Sequence, residues 1–176
     1  SPDGLNTRPT TSLVREALMN IIGQSILNRT WLDLFSGSGI VGCEALQRGA
    51  KLVIAVESNK KTAELCDSNL SSISKSQEKN CYSKTINSDV VSFLKRSHSK
   101  EKEPFKGIMQ QEGFDFIFLD PPYKINIYGL VLKHLLMGNW LNKNSLVICE
   151  FSSDFKIEPI DAWVIKDKRS YGKSSL

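Results

Sequence analysis

The sequence predicts a doubly wound α/β fold in a single domain, residues 1–176, from three observations. Short apolar runs typical of buried strands alternate with segments whose apolar residues recur at helical spacing. A glycine-rich turn links the first predicted strand to the helix that follows it. Alternation of this kind implies parallel strands joined by right-handed crossovers, with helices on both faces of the sheet.

Each element has a local signal. The first helix is predicted at 12–22, where Thr10, Thr11 or Ser12 can cap its start and Gly23 can end it. Further helices are predicted at 40–48, 60–70, 90–95 and 130–137. Strands are predicted at 30–35, 51–56, 82–87, 114–119 and 145–151, and another strand is expected to begin within 162–166. The charged stretch 97–113 is predicted to be a loop.

Composition excludes several classes of protein. No apolar run approaches the roughly 20 residues that cross a bilayer, and no signal peptide is visible. Cys43, Cys66, Cys81 and Cys149 form no C-x-x-C pair, and only 2 histidines accompany them, so we expect reduced structural thiols and no metal site. The net charge of +4 is compatible with a nucleic-acid partner without requiring one. The chain opens on Ser1, so we expect the natural N-terminus to lie further upstream.

The segment Asp120-Pro121-Pro122-Tyr123 directly follows the predicted strand 114–119. An acidic side chain, two prolines and an aromatic ring at a strand end make a rigid polar pocket with a flat wall. The Asp120 carboxylate and the Pro121 carbonyl can each accept an N–H bond from an exocyclic amino group, and Tyr123 can stack on the ring that carries it. A turn that merely ends the strand is the alternative interpretation.

The turn at residues 37–42 matches G-x-G-x-x-G, and Glu57 lies 20 residues after Gly37, at the end of the next predicted strand. This spacing alone leaves a nicotinamide dinucleotide enzyme open. Asp33 favours another cofactor, because a carboxylate at the strand tip would repel a pyrophosphate. The sulfonium and α-ammonium of S-adenosylmethionine are cations that such a carboxylate attracts. Together the two sites point to methyl transfer from S-adenosylmethionine to an amino nitrogen.

Asp89 follows the third predicted strand, whose tip in this fold faces the adenine of a nucleoside-like cofactor. It is a candidate acceptor for the adenine amino group, with Val90 packing beside it. Asp89 is also a suitable N-cap for the helix predicted at 90–95. The two roles are compatible.

On these residues the chain resembles the class I, Rossmann-like methyltransferases that carry the amino-methylating motif [D/N]-P-P-[Y/F]. Further segments are similar to the RsmD family, and the similarity runs from Pro2 to Gly172. The matching segments are Arg8-Pro9-Thr10, 14–18, 33–39, 44–46, 48–50, Glu57, 120–123 and Tyr171-Gly172. Ser36 departs from the family pattern, which often has alanine there.

The resemblance implies methylation of a guanine N2 amino group in small-subunit ribosomal RNA. The cofactor site would comprise Asp33, Phe35, Gly37, Gly39, Glu57, Ser58, Asp89 and Val90, and the substrate site Asp120, Pro121, Pro122 and Tyr123. Arg8 and Arg15 would contact RNA phosphate, although Arg15 also fits an ordinary exposed helix position. The partner would be ribosomal RNA or the small-subunit particle. We expect a cytoplasmic monomer without metal or membrane attachment, from a bacterium or a plastid.

The family pattern also implies a seven-stranded sheet whose last hairpin is antiparallel. Residues 163–176 supply that hairpin only in part, and the family's basic segment before Arg8 is expected to lie upstream of this chain. The loop at 97–113 is either solvated or an arm that touches an RNA backbone.

Three alternatives remain at this point. Adenine N6 or a protein amide would use the same amino-methylating chemistry. A nicotinamide oxidoreductase would explain the glycine-rich turn and Glu57 alone. A non-catalytic RNA-binding module would depend on Arg8 or Arg15 rather than on Asp120.

Overall fold

The computed structural model of the chain describes residues 12–77, 81–99, 104–109, 112–122, 126–155 and 161–176. The helices are α1 (Ser12–Ile22), α2 (Ile40–Gln47), α3 (Lys60–Ser76), α4 (Val90–Leu94) and α5 (Tyr128–Met137), with a 3-10 turn at Gly23–Ile26 after α1. The strands are β1 (Thr30–Leu34), β2 (Leu52–Glu57), β3 (Tyr82–Asn87), β4 (Phe114–Leu119), β5 (Leu141–Cys149), β6 (Phe151–Ser152), β7 (Ser170–Tyr171) and β8 (Ser174–Ser175). None of the helices described is both long and apolar enough to cross a membrane.

The central sheet has five parallel strands in the order β3-β2-β1-β4-β5. The doubly wound prediction is therefore confirmed. The chain starts in the middle at β1, winds outward to β3, and then returns to β4 on the other side of β1. Sheets with this winding bind ligands outside the carboxyl ends of the two strands where the direction reverses, here β1 and β4.

Helices cover both faces of this sheet, and the side chains of β1 divide between two buried clusters. Leu32 and Leu34 join the cluster that contains the buried residues of α4 and the buried aliphatic residues of α5. Trp31 joins the cluster beneath α1, α2 and α3. Because side chains alternate along a strand, Asp33 points to the same face as Trp31, toward α2. Asp33 is thus the one charged side chain in a strand whose five residues are all buried.

Two predicted elements have different bounds in the structure. Helix α3 continues to Ser76, six residues beyond the predicted end, and Ile73 in this extension packs against the same buried cluster as Cys66 and Leu70. The strand predicted at 145–151 begins earlier, at Leu141, and ends at Cys149. Its pairing with β4 contains an irregularity between Phe114 and Phe116, so the sequence pattern did not show its start.

The C-terminal hairpin differs more from expectation. Strands β7 and β8 are antiparallel, but they form a separate three-stranded sheet in the order β6-β8-β7. Strand β6 continues the chain from β5 after Glu150, so the hairpin extends the line of the central sheet without joining its ladder. The prediction that a strand begins within 162–166 is wrong, because the structure has no strand there. Val164 and Ile165 are 90% and 64% exposed, and β8 already pairs on both edges with β6 and β7.

A buried carboxylate fixes the amino ends of three strands. The Asp115 side chain accepts hydrogen bonds from the backbone N–H of Thr30 at 2.9 Å, from the Thr30 hydroxyl at 2.9 Å and from Asn142 Nδ2 at 2.7 Å. Arg29 adds an ion pair at 3.4 Å. This cluster joins the amino ends of β1, β4 and β5. It therefore lies at the opposite edge of the sheet from the carboxyl ends of β1 and β4.

We predict that Gly113→Ala destabilises the protein by about 2–4 kcal/mol, because a Cβ atom there would overlap the backbone of Leu141 and the residue has φ +75°. Gly107→Ala is the matched control. Gly107 has the same φ of +75° but no heavy atom within 4 Å of the added carbon, so only backbone strain of about 1 kcal/mol is expected. Urea unfolding of both variants measures the difference; equal losses would show that the close approach of Leu141 does not matter.

Candidate cofactor and substrate site

Strand register brings the predicted acidic residues to one edge of the sheet. Leu34 of β1 pairs with Leu119 of β4, and the backbone N–H of Asp120 donates to the Leu34 carbonyl at 3.4 Å. Asp33 pairs with Ala55 of β2, so Glu57 lies two residues further toward the same edge. Asp33, Glu57 and Asp120, which are distant in sequence, therefore surround one point where the winding reverses.

The turn after β1 is held in an unusual backbone conformation. Phe35, Gly37 and Gly39 all have positive φ, at +63°, +54° and +77°. A non-glycine residue such as Phe35 is strained in this region, and strain of this kind clusters at functional sites. Two bonds keep the turn in place, from Ser36 N to the Val56 carbonyl at 3.0 Å and from Gly39 N to the Ser36 carbonyl at 2.9 Å.

The two glycines of this turn have different surroundings. A Cβ atom on Gly39 would lie 2.6 Å from the Cys66 sulfur, so Gly39 is required for the turn to pack on α3. A Cβ atom on Gly37 would meet nothing within 4 Å. The Gly37 side of the turn is therefore open, and its backbone is accessible to a ligand at close range.

Glu57 fixes the turn from the neighbouring strand. Its Oε2 accepts the backbone N–H of Gly37 at 3.0 Å, and its Oε1 accepts the backbone N–H of Asn59 at 2.8 Å and the Ser58 hydroxyl at 3.4 Å. The sequence predicted a carboxylate that bonds ribose hydroxyls. Since each carboxylate oxygen has more than one lone pair, the observed bonds leave room for that second role.

Asp33 is a buried acid with an unusual proton affinity. Its side chain is 1% exposed, and its Oδ2 has no hydrogen-bond partner among the described residues. Burial, reinforced by the negative charges of Asp120 and Glu57, raises the pKa of Asp33 to about 8, although a bond from the Gly42 backbone opposes the shift. Asp33 therefore carries a proton at neutral pH, until a cation beside it makes the ionised form favourable.

The thiols near Asp33 add no negative charge. Burial raises the pKa of Cys43 to about 11, and burial also raises the pKa of Cys66. All four cysteines of the chain are free, as the sequence analysis expected, and burial raises the pKa of Cys149 to about 12. A thiol with a raised pKa is a poor nucleophile, so these residues contribute packing rather than chemistry.

On the substrate side, Asp120 is half-buried and Pro121 is buried, directly after the end of β4. Proline at both following positions restricts φ, which fixes the Asp120 carboxylate and the Pro121 carbonyl relative to the sheet. Tyr123 lies outside the described residues, so its predicted stacking role stays a prediction.

The remaining predicted residues are placed as follows. Asp89 is the N-cap of α4, where its Oδ1 accepts the Ser92 backbone N–H at 2.8 Å, and Val90 is buried behind it. Arg15 forms an ion pair with Glu44 of α2 at 3.7 Å, and its side chain is only 20% exposed. The interpretation of Arg15 as an ordinary exposed helix residue is therefore wrong. Arg8 lies outside the described residues.

Two residues that support the site gave no signal in the sequence. Asn69 of α3 donates from Nδ2 to the Ser38 carbonyl at 3.0 Å and so holds the glycine turn from behind. Asn87 donates from Nδ2 to the carbonyls of Glu57 and Ser58, both at 2.9 Å, and ties the end of β2 to β3. Isolated asparagines are common in loops and on helix surfaces, so their spacing predicted neither contact.

Comparisons with known proteins agree with this architecture. A protein-family model described as "Conserved hypothetical protein 95" matches residues 1–176. Ribosomal RNA small subunit methyltransferase D of Haemophilus influenzae is 32% identical over 165 residues, which cover 94% of this chain and 78% of that protein. The protein of the same name from Buchnera aphidicola of Acyrthosiphon pisum is 30% identical, with 93% and 77% covered.

Solved structures share the fold. A conserved hypothetical protein of Streptococcus pyogenes superposes with a TM-score of 0.74 at 26% identity, with 92% of this chain and 91% of that chain covered. The O-methyltransferase of Bacillus cereus, solved in complex with SAH, gives a TM-score of 0.61 at 16% identity over 83% of this chain and 59% of its own, which shows the fold alone. The family model matches the whole chain, and the alignment with the H. influenzae relative covers most of both proteins. The chain therefore belongs to the Conserved hypothetical protein 95 family, which is the RsmD family of ribosomal RNA small subunit methyltransferases.

Proposed function

We propose that this protein transfers a methyl group from S-adenosylmethionine to the exocyclic N2 amino group of a guanine in small-subunit ribosomal RNA, in the cytoplasm. One observation carries the proposal. The Asp120-Pro121-Pro122 segment lies directly beside the end of β1, joined to it by the bond from Asp120 N to the Leu34 carbonyl. An acceptor pair for an amino group therefore adjoins the turn proposed to hold the cofactor. The activity in the names of the H. influenzae and Buchnera relatives supports the substrate class.

The residues of the site fit this cofactor. Asp33 presents a buried carboxyl oxygen without a hydrogen-bond partner among the described residues, which suits the cationic end of the cofactor. The open side of Gly37 leaves space for a ligand beside the backbone, and we assign the ribose hydroxyls to Glu57, which accepts the Gly37 N–H. Asp89 keeps a second carboxylate oxygen beside its capping bond for an adenine amino group. When bound, the cofactor supplies an electrophilic methyl group on a sulfonium.

The substrate residues act on the amino nitrogen. The lone pair of an aryl amine is delocalised into the ring, which makes it a weak nucleophile. The Asp120 carboxylate and the Pro121 carbonyl, by accepting the two N–H bonds, turn the nitrogen toward sp3 geometry and direct its lone pair at the methyl carbon. Methylation of the nitrogen requires one amino proton to leave, and we assign Asp120 as its acceptor. Because a paired guanine hides its N2, the target must be flipped or already unpaired.

Methyl transfer to hypomethylated small-subunit particles tests the proposal. Wild type is expected to yield N2-methylguanosine, identified by mass after digestion. Asp120→Ala is expected to lower kcat by about 100-fold or more, because one of two preorganised acceptors is lost. Cofactor affinity, measured by calorimetry, should change little.

Asp120→Asn is the matched variant, since the family motif permits asparagine and the amide oxygen still accepts an N–H bond. If Asp120 acts mainly as an acceptor, this variant keeps kcat within about tenfold of wild type. If Asp120 must also take the proton, its kcat falls as far as that of the alanine variant. N6-methyladenosine as the product, or no product with cofactor still bound, would overturn the guanine assignment.

Asp33 makes stability depend on pH. Its pKa in the folded protein, about 8, exceeds the ordinary value of 3.8. The stability that protonated Asp33 contributes to the folded state is therefore fully present below about pH 4 and is lost as the pH rises through 8. Asp33→Asn removes this loss. The quantity to compare is the Tm of the variant minus the Tm of wild type. We expect this difference to be larger at pH 9 than at pH 6 by at least about 5 °C. Asp115→Asn, which breaks a satisfied cluster, should lower the Tm at both pH values.

The same proton should make cofactor binding depend on pH. Because a cation favours ionised Asp33, binding below pH 8 releases a proton, and affinity should rise with pH by up to about tenfold per unit before levelling. Calorimetry in two buffers of different ionisation enthalpy counts the released proton. Asp33→Asn should bind more weakly and without this release. Wild-type binding that releases no proton at pH 6.5 would show that Asp33 stays protonated beside the cofactor.

A further inference from the structure

We propose that the basic hairpin, residues 166–175, is a docking surface for the phosphate backbone of the RNA substrate, beside the loop that receives the target base. The proposal rests on the proposed function for the identity of the RNA. It concerns a surface that lies outside the cofactor and substrate residues, and it assigns to that surface affinity rather than chemistry.

The fold places the basic hairpin next to the substrate loop, which begins with Asp120-Pro121-Pro122 and leads to α5. The backbone N–H of Glu150 donates to the Leu119 carbonyl at 2.8 Å, so the residues that follow them, Phe151 and Asp120, leave the sheet side by side. Phe151 begins β6, on which β8 pairs. The Lys168 ammonium lies over the Phe151 ring, 5.4 Å from its centroid. Lys168 is thus held on Phe151, the residue that leaves the sheet beside Asp120.

The hairpin is a rigid element rather than a loose tail. Arg169 and Leu176 exchange two backbone hydrogen bonds of 2.9 Å across its strands. Ser153 donates to it twice, from its backbone N–H to the Lys173 carbonyl at 3.0 Å and from its hydroxyl to the Gly172 carbonyl at 2.8 Å. The backbone around Arg169, Gly172 and Lys173 is therefore already ordered, so this part of the surface loses little conformational entropy on binding.

A second set of contacts connects the hairpin's base to the start of α5, the helix that follows the substrate loop. The Tyr128 hydroxyl donates to the Glu150 carbonyl at 2.6 Å, and the Tyr128 ring lies 5.3 Å from the Phe155 ring. Phe155 in turn packs near Phe151, with ring centroids 6.4 Å apart. The hairpin and the far end of the substrate loop are therefore anchored to the same aromatic cluster.

Charge identifies the partner. The basic hairpin contains Lys166, Lys168, Arg169 and Lys173 against the single carboxylate of Asp167, a net charge of +3 in a chain whose total is +4. All four cationic residues are exposed. Cations spaced along a β-hairpin suit the repeating phosphates of a nucleic-acid backbone, where lysine acts as a point charge.

Three arginines outside the hairpin form ion pairs within the protein, whereas Arg96 is exposed. Arg15 and Arg48 both pair with Glu44, at 3.7 Å and 3.1 Å, and Arg29 pairs with Asp115 at 3.4 Å. In the hairpin, Arg169 forms an ion pair with Asp167 at 2.9 Å, and the Lys168 ammonium lies over the Phe151 ring. Lys166 and Lys173 have no ion pair among the described residues, so they are the side chains to remove in a test.

The test compares two double variants that change net charge equally. Lys166→Ala/Lys173→Ala removes hairpin cations, and Lys75→Ala/Lys143→Ala removes exposed lysines near the opposite edge of the sheet. Binding to protein-free small-subunit ribosomal RNA is followed by fluorescence anisotropy across a salt series. The hairpin variant is expected to bind about tenfold more weakly at low salt, with a salt slope lower by about 2. The control should match wild type, and both should keep wild-type cofactor affinity.

Methyl transfer separates this proposal from the function on which it rests. The hairpin variant should raise KM for RNA about tenfold while kcat stays within a factor of two, because backbone docking lies outside the reacting atoms. Equal loss of RNA binding in both double variants, no loss in the hairpin variant, or salt-independent binding by wild type would overturn the docking surface. A wild-type product other than N2-methylguanosine would overturn the proposed function. In that case the RNA-binding measurement by itself would still show whether the basic hairpin is a docking surface.

Discussion

The parallel pairing of β1 with β4 is the constraint on which the rest of the site depends. Its register sets Leu34 beside Leu119 and brings Asp33 and Asp120 to the same edge, although 87 positions separate them in the chain. The Asp115 cluster fixes the other end of the same strand pair through Thr30. A shift of one residue would turn Asp33 to the opposite face and separate it from Glu57, since side chains alternate along a strand.

That arrangement brings three acidic side chains together, one of them fully buried and two half-buried. Three carboxylates converge on the strand ends, and the most buried of them, Asp33, has its pKa raised to about 8. The free site is therefore electrostatically unsatisfied, and a cationic ligand relieves it. The hydrogen bond from Gly37 N to Glu57 holds the glycine turn in place, although Phe35 has a strained positive φ. The interactions of the surrounding sheet offset the free-energy cost of that strain.

Positive charge is concentrated on the neighbouring hairpin instead. The five-stranded sheet continues past Glu150 into a short antiparallel sheet, and this continuation places Lys166 to Lys173 beside the substrate loop. The two regions divide the work of the proposed reaction. An acidic cleft attracts a cationic cofactor, and a basic surface next to it attracts a polyanionic RNA.

The sequence by itself determined the order of the five central strands and of the helices between them, because apolar periodicity and turn residues are local signals. It singled out Asp33, Glu57 and Asp120 as candidates by their positions at or near strand ends. Only the tertiary structure decided the support around them: Asn69 behind the glycine turn, Cys66 against Gly39, the ion pair of Arg15 with Glu44, and the separate C-terminal sheet. These contacts join residues far apart in the chain, so no local pattern encodes them. The proton on Asp33 likewise depends on burial and on two other carboxylates, which exist together only after folding.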